Sequence, residues 1–555
     1  MEDVIPDIGD DILHNSRTAR GPHSYPGDMT TFDGRTRLAT VGTPAALPWD
    51  GPRLAAQLAA TGPRRLWRSA YDEELTTELP TSTPSDVAAA ADRARVAQQE
   101  WAARPLGERG RVLLDFHDAV LDQRDRLADL LQYEGGKARL IAFEEILHLA
   151  LTARYYARTA REVLHHQRRS GIFPLLTRID QRYLPRGLVG IIAPWNYPLS
   201  PTISDGLAAL VAGNALLLKP DLQTPYVALA AVDLLRQAGM PAELWQVVHG
   251  AGDQVGAELI DHVDYLCFTG STATGRIVAK QCADRLIGCS LELGGKNPLL
   301  VLDDADVEQA AAGAVRASFS NAGQLCVSAE RIFVADQLRR EFTDAFVAKT
   351  RTVRLGRSLD FDHEMGSLTS ADQLARVEAH VADARDKGAQ VLTGGRRRPD
   401  LGPLFYEPTV LAGVTEEMAC YAEETFGPVV SIYPVRDEAE AIRRANDSAY
   451  GLNASVWTGD PARGRRVAAQ LRCGTVNVNE AYAATFGSVD APMGGMKSSG
   501  LGRRQGPEGL LRFVQPQAIG TQSLLPIAPS HGLSPKTFVT GMTVALRVLK
   551  SLGRA

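Results

Sequence analysis

The sequence predicts an α/β protein with two doubly wound parallel-sheet units and a small bridging β element. Three observations predict it. A chain of 555 residues is too long for one hydrophobic core, so two or three structural units are expected. From residue 188, short apolar runs ("LVGIIAP", "ALLLKP", "WQVVHG" and "YLCFTG") recur about 20 to 30 residues apart, with helix-like segments between them. After Cys326 comes a second series of such runs, "RIFVA", "QVLTGG", "VVSIYPV" and "GTVNVN".

Taken in order, residues 1 to 50 are rich in Asp, Pro, Gly and Thr without periodicity, which predicts an extension or an arm outside the core. Their start lacks the basic and apolar regions of a secretory signal, so export is not expected. In "TPSDVAAAADRARVAQQEWAA" a helix is predicted, with Thr83 as N-cap, Pro84 at the first helical position and Asp86 closing a capping box. Further helix follows through "RGRVLLDFHDAVLDQRDRLADLLQYEGG", ending at a glycine pair suited to a C-cap. The longest apolar run, "LAALVAGNALLLKP", is broken by Asn214 and falls short of a bilayer span. Its neighbours are the βαβ runs, which imply Rossmann-like units.

Composition narrows the function. The 45% apolar and 23% charged fractions are those of an ordinary globular protein, and the net charge of -5 gives no reason to expect nucleic acid. Six cysteines occur without a C-x-x-C pair or zinc spacing, so a reduced, cytoplasmic chain with no disulfide framework and no metal site is expected.

Ligands of open α/β sheets bind at the carboxyl ends of strands, so the turns after each run come first. "LVGIIAP" leads into Trp195 and Asn196, and "ALLLKP" ends at Lys219. "WQVVHG" opens into "GAGDQVG" with Gly252, and "YLCFTG" into "GSTATG" with Ser271; both are glycine turns ahead of helical stretches, where N–H groups can approach a phosphate. Neither fits G-x-G-x-x-G, so each reads equally well as a plain tight turn. Lys219 alone reads as a solvated charge and Trp195 as core. Glu292 in "LELGGKNP" is either a desolvated acid–base group or a satisfied structural partner. Cys326 in "SNAGQLCVS" competes with the ordinary role of a free cysteine as a small buried hydrophobe. Its company of Asn196, Glu292 and Glu424 favours a site.

Seven segments, "PWNYP", "KPDLQTP", "FTGSTATG", "LELGGKNP", "FSNAGQLC", "EETFGPVV" and "PMGGMKSSGLGRR", resemble in order and spacing the aldehyde dehydrogenase superfamily, over roughly residues 55 to 520. The wording is most similar to the bacterial NADP-dependent succinate-semialdehyde dehydrogenase branch. The resemblance implies that Cys326 attacks the aldehyde, that the Asn196 amide and the Cys326 N–H form an oxyanion hole, and that Glu292 activates the water that releases the acid. It implies a nicotinamide cofactor held by Trp195, Lys219, Gly252, Ser271, Glu424 and Phe426, a small aldehyde substrate, and a homodimer or homotetramer. It further implies an NAD(P)-binding domain at 51–171 and 188–292, a catalytic domain at 293–500, and an oligomerisation element at 172–187 and 501–523. In that element "RIDQRYLP" pairs with "LRFVQPQAI".

Two departures matter. Leu222 stands where NAD-preferring members have a glutamate for the adenosine ribose, so NADP is the expected cofactor, with NAD as the second. Ser204 and Ser320 stand where members acting on succinate semialdehyde carry arginines. Tyr482 and Phe486, in a loop expected to face substrate, suit an apolar, aromatic or long-chain aldehyde instead. Outside this class, a cofactor-independent cysteine esterase needs a histidine beside Cys326, and an inactive structural homologue has no use for Cys326, Asn196 and Glu292 together.

Residues 524–555 form a basic tail: after Glu508 there is no acidic residue, yet Arg512, Lys536, Arg547, Lys550 and Arg554 follow. "KTFVTGMTVALRVLKSL" predicts a helix with Phe538, Met542, Ala545, Leu549 and Leu552 on one face. That face is expected to pack on the protein's own body or a partner subunit, with a membrane surface as the second reading.

Overall fold

The computed structural model describes residues 47–172, 176–523 and 526–551. The expected extension lies outside these residues up to position 46, as do Leu552 and Arg554 of the tail.

A short helix, Gly51–Ala55, and an antiparallel pair, Arg64–Arg68 with Thr76–Pro80, open the described chain, and longer helices follow. Pro84–Ala103 begins as its sequence demands: the Thr83 side chain accepts from the Asp86 N–H while the Asp86 carboxylate accepts from the Thr83 N–H. Arg124–Gly135 ends on Gly136 at φ +70°, the left-handed C-cap that the glycine pair predicts.

The first sheet has six strands in the order Gly500–Leu501, Gly288–Glu292, Tyr265–Thr269, Leu188–Ile192, Ala215–Lys219, Trp245–Val247. Leu188–Ile192 and Ala215–Lys219 are buried at every position, so these strands read as unbroken apolar runs rather than alternating ones. The second sheet has seven strands in the order Gln390–Thr393, Thr409–Ala412, Val429–Val435, Ala329–Ala335, Asn297–Val301, Asn453–Trp457, Thr475–Val478. All eight runs singled out above are strands. The sheets differ from the expectation of parallel pairing at one edge each. Gly500–Leu501 runs antiparallel to Gly288–Glu292, and Gln390–Thr393 antiparallel to Thr409–Ala412. An edge strand has one neighbour only and antiparallel pairing needs no helical crossover, so reversal is easiest there.

In a third sheet Val514–Gln522 pairs antiparallel with Thr177–Pro185 over nine residues, from Val514 opposite Pro185 to Gln522 opposite Thr177. Gln167–Arg169 completes this bridging sheet on the other side of Thr177–Pro185. The outer strand Val514–Gln522 is exposed at all but its first residue.

The tail helix spans Pro535–Ser551 and buries none of its residues. Packing on the protein's own body is therefore not what the described residues show. Phe538, Met542 and Leu549 keep partial cover, whereas Val539 and Leu546 are 61% and 58% exposed.

Candidate active site

A cavity of about 440 Å³ lies between the two sheets, and all nine predicted site residues line it: Trp195, Asn196, Lys219, Gly252, Ser271, Glu292, Cys326, Glu424 and Phe426. The first sheet delivers its residues from the carboxyl ends of strands, as Lys219 and Glu292 are the last residues of theirs. The second sheet delivers Cys326, Glu424 and Phe426 differently, from segments that enter the strands Ala329–Ala335 and Val429–Val435.

The loop before Cys326 explains its own composition. Asn321, Ala322 and Gly323 have φ of 52°, 53° and 71°, three left-handed residues in succession. Such backbone strain persists only where surroundings over-determine it. Here the Asn321 amide donates to the Gln324 carbonyl at 3.0 Å, Gln324 Nε2 donates to the Asn321 carbonyl at 3.1 Å, and Gln324 Oε1 accepts from the Thr369 N–H at 2.9 Å. A Cβ at Gly323 would meet the Gly427 carbonyl oxygen at 2.0 Å, so only glycine fits. The loop holds the Cys326 thiol at the cavity wall, half-buried.

Burial pushes the Cys326 thiol up to about 12, and the carboxylates of Glu292 and Glu424 add to the rise. Burial likewise raises Glu292 to about 7, against the opposing pull of the Arg504 guanidinium. One carboxylate oxygen of Glu292 is buried with no partner among the described residues. The two groups titrate against each other: a proton passing from Sγ to Glu292 removes the negative charge that opposes the thiolate.

Asn196 follows its strand into a turn held from below. Its Nδ2 donates to the Gln324 carbonyl at 3.0 Å, which ties it to the loop of Cys326. Its own carbonyl accepts from Lys137 Nζ at 2.7 Å. Lys137 also pairs with Glu145, both side chains almost wholly buried, and Glu145 accepts the N–H groups of Leu199 and Ser200 at 3.0 Å each. The pair thus grips the turn at both its ends.

At the opposite end, Trp195 and Phe426 meet edge to face at 5.4 Å. Glu424 accepts the Gly295 N–H at 2.8 Å, and a Cβ at Gly294 would meet its other oxygen at 2.3 Å, which accounts for the glycine pair in "LELGGKNP". Burial first, then Glu330, raises Glu424 to about 8. Ser271 caps the helix Thr272–Asp284, accepting from the Thr274 N–H at 3.2 Å; that helix has no acidic residue in its first turn, which leaves its positive end open to an anion. Among the described residues Lys219, buried and lowered by that burial, donates only to the Pro220 carbonyl at 3.3 Å. A buried ammonium with spare donors beside an uncommitted helix N-terminus fits a ribose and pyrophosphate.

Of the two aromatics expected at substrate, Phe486 lines the cavity and Tyr482 does not. Tyr482 is buried instead, its hydroxyl donating to Glu144 at 3.0 Å under the Arg316 guanidinium. Ser204 lies 3.4 Å from His148 Nδ1, whose ring stacks on Phe486 at 4.5 Å. Among the described residues no histidine lines the cavity, which removes the partner that the esterase reading requires. Sequence reasoning missed Lys137, Glu145 and Arg504. Lys137 follows the "EGG" read only as a helix stop, and Arg504 lies in a motif used only for its family likeness.

A half-buried thiol, an amide donor and a carboxylate with one oxygen unpartnered among the described residues share this cavity, a set suited to an oxidoreductase. The chain belongs to the aldehyde dehydrogenase family, whose model matches residues 65–519. A relative from Mycolicibacterium smegmatis is 52% identical over 479 residues, 86% of this chain and 92% of its own length. One from Mycobacterium tuberculosis H37Rv is 49% identical over 514 residues, 92% of this chain and 99% of its own. Both carry the provisional name succinate-semialdehyde dehydrogenase [NADP(+)]. Among solved structures, an Escherichia coli NADP dependent enzyme superposes with a TM-score of 0.81 at 33% identity, covering 85% of this chain and 99% of that one. Betaine aldehyde dehydrogenase from Staphylococcus aureus in complex with NAD+ superposes at 0.80 and 32%, covering 83% and 92%.

Proposed function

We propose that the protein oxidises an aldehyde to a carboxylic acid through a covalent adduct on Cys326, with NADP as cofactor and NAD as the second. The observation that carries this is the single cavity shared by the Cys326 thiol, the Asn196 amide and the unpartnered Glu292 oxygen.

Sγ bonds to the carbonyl carbon as its proton moves to Glu292, and the oxygen that becomes negative sits against Asn196 Nδ2 and the Cys326 N–H. The bound nicotinamide supplies the acceptor for the hydride. Trp195, Lys219, Gly252, Ser271, Glu424 and Phe426 would hold that cofactor. The acyl group then stands as a thioester; Glu292 releases the thiol's proton to solvent, and the ionised carboxylate takes a proton from water as oxygen bonds to the acyl carbon and sulfur leaves as the thiolate, which that proton returns to the thiol. A base raised to about 7 is matched to this work near neutrality.

Leu222 on the cavity wall supports NADP, since no carboxylate there opposes a 2′-phosphate. Asp221 lines the same wall, and Lys219 beside it offsets its charge. Succinate semialdehyde, named for the relatives, is the first substrate to test. An apolar or aromatic aldehyde is the second reading, favoured by Tyr197, Leu325, Val327, Phe486 and Met493 on the wall and by serine at positions 204 and 320. The need for a reduced thiol supports a cytoplasmic setting, and the exposure of the outer strand Val514–Gln522 supports a homodimer or homotetramer built by strand addition.

The test is formation of NADPH and NADH with a panel of aldehydes, by wild type and Cys326→Ala. Turnover that disappears in the variant is expected. Absence of turnover with every aldehyde overturns the reading.

A further inference from the structure

The tail helix Pro535–Ser551 presents an apolar arc that no described residue buries. Phe538, Val539, Met542, Leu546 and Leu549 fall within an arc of about 100°, and none of the helix is buried. Lys550, Lys536 and Arg547 follow one another around the adjoining flank, with Thr543 between Lys550 and Lys536 and Thr540 beyond Arg547. Among the described residues the hydrogen bonds of 526–551 are local, running among neighbours such as Ser534, Thr537 and Phe538, and no ion pair ties the helix to the described body.

We propose that this helix docks the enzyme on an anionic lipid surface, with the apolar arc in the acyl boundary and the basic flank against phosphate head groups. Charge separation along the chain carries the choice of occupant. From Gly509 to Ala555 there are five Lys and Arg and no Asp or Glu, so this stretch is +5; against a total of -5, residues 1–508 sum to -10. Cations adjoining an apolar arc can extend their stems outward to head groups while the arc stays immersed. Among the described residues no helix is long and apolar enough to cross a membrane, so the association is with the surface. It does not depend on which aldehyde is oxidised.

The experiment is flotation of the full chain with vesicles of phosphatidylglycerol and phosphatidylcholine, or phosphatidylcholine alone, at low and high salt. Wild type is expected to float with the anionic vesicles only, and less at high salt. Lys536→Glu/Arg547→Glu/Lys550→Glu is expected to weaken binding by at least about 100-fold, taking roughly fivefold per cation removed. Phe538→Asp/Leu546→Asp is expected to abolish it, and both variants to oxidise aldehyde in solution as wild type does, which shows them folded. Failure of wild type to float, or equal flotation of both variants, overturns the proposal. So does a wild type that stays unbound while Phe538→Asp/Leu546→Asp lowers its mass in solution, because the arc is then a contact between copies of this chain.

Discussion

Replacing Lys137 by Met separates holding the oxyanion turn from holding the fold. Lys137 and Glu145 are 1% and 0% exposed, and breaking a buried pair by removing one partner costs about 3–5 kcal/mol. Glu145 keeps its two backbone donors at 3.0 Å, so the expected loss lies near the lower end, about 3 kcal/mol. Adding Glu145→Gln removes the stranded charge, and the double variant should recover about 2 kcal/mol of that loss in denaturant titrations. Activity should not recover with it. The Asn196 carbonyl has lost its 2.7 Å donor in both variants, and a displaced oxyanion donor costs about 10²-fold in kcat. The assay pairs denaturant midpoints with single-turnover rates at saturating aldehyde. A double variant that turns over within about threefold of wild type would refute the positioning role and leave Lys137 a structural residue.

Further expectations concern the acid–base pair, the strained loop and the cofactor end. Glu292, raised to about 7, must be ionised to act, so kcat should climb with pH to a plateau above that value, and Glu292→Gln should be slow and without this limb. The same rise means that burial favours protonated Glu292; its contribution to stability is full below the ordinary carboxyl value near 4.5 and is lost as pH rises through about 7. Thermal melts of Glu292→Gln against wild type should therefore diverge toward alkaline pH, with the variant the more stable. Gly323→Ala meets both a φ of 71° and a carbonyl at 2.0 Å, so it should cost more than the ~1–2 kcal/mol of a left-handed residue alone and slow alkylation of Cys326. Leu222→Glu should lower kcat/KM for NADP by about tenfold or more relative to NAD, and Asp221→Asn should move the ratio the other way.

Strands such as Leu188–Ile192, Ala215–Lys219 and Ala329–Ala335, largely apolar and buried at every position, are legible because an unbroken apolar run needs no knowledge of its neighbours, whereas Gln390–Thr393 is legible without a buried residue. Gly288–Glu292, "GCSLE", and Asn453–Trp457, "NASVW", are not legible as strands, because each places polar residues inside the sheet; Ser290 accepts from Arg512 at 2.8 Å, far along the chain. Asn453 is satisfied likewise, its N–H donating to Asn297 Oδ1 at 3.0 Å and its side chain to the Val327 carbonyl at 3.1 Å. The cavity residues were legible where chemistry and turn coincide, at Cys326, Glu292 and Asn196. Lys137 and Glu145 were not, since a helical pattern states which face is apolar and not what the end of the helix will grip. Tyr482 was misplaced for the same reason: an aromatic in a loop can turn to the core as readily as to a ligand.

The pairing of Glu292 with Gly500 carries a kinetic consequence. The two residues stand directly opposite in the sheet although 208 positions separate them in the chain. Contacts so distant are slow to close and close late. During refolding the thiol loop, whose restraints from Asn321, Thr369 and Asn196 span at most 128 positions, can be in place while the strand carrying Glu292 still lacks its outer neighbour. A reactive but unproductive cysteine should therefore appear before turnover does. During synthesis, catalytic competence must wait until residues past Leu501 have left the ribosome.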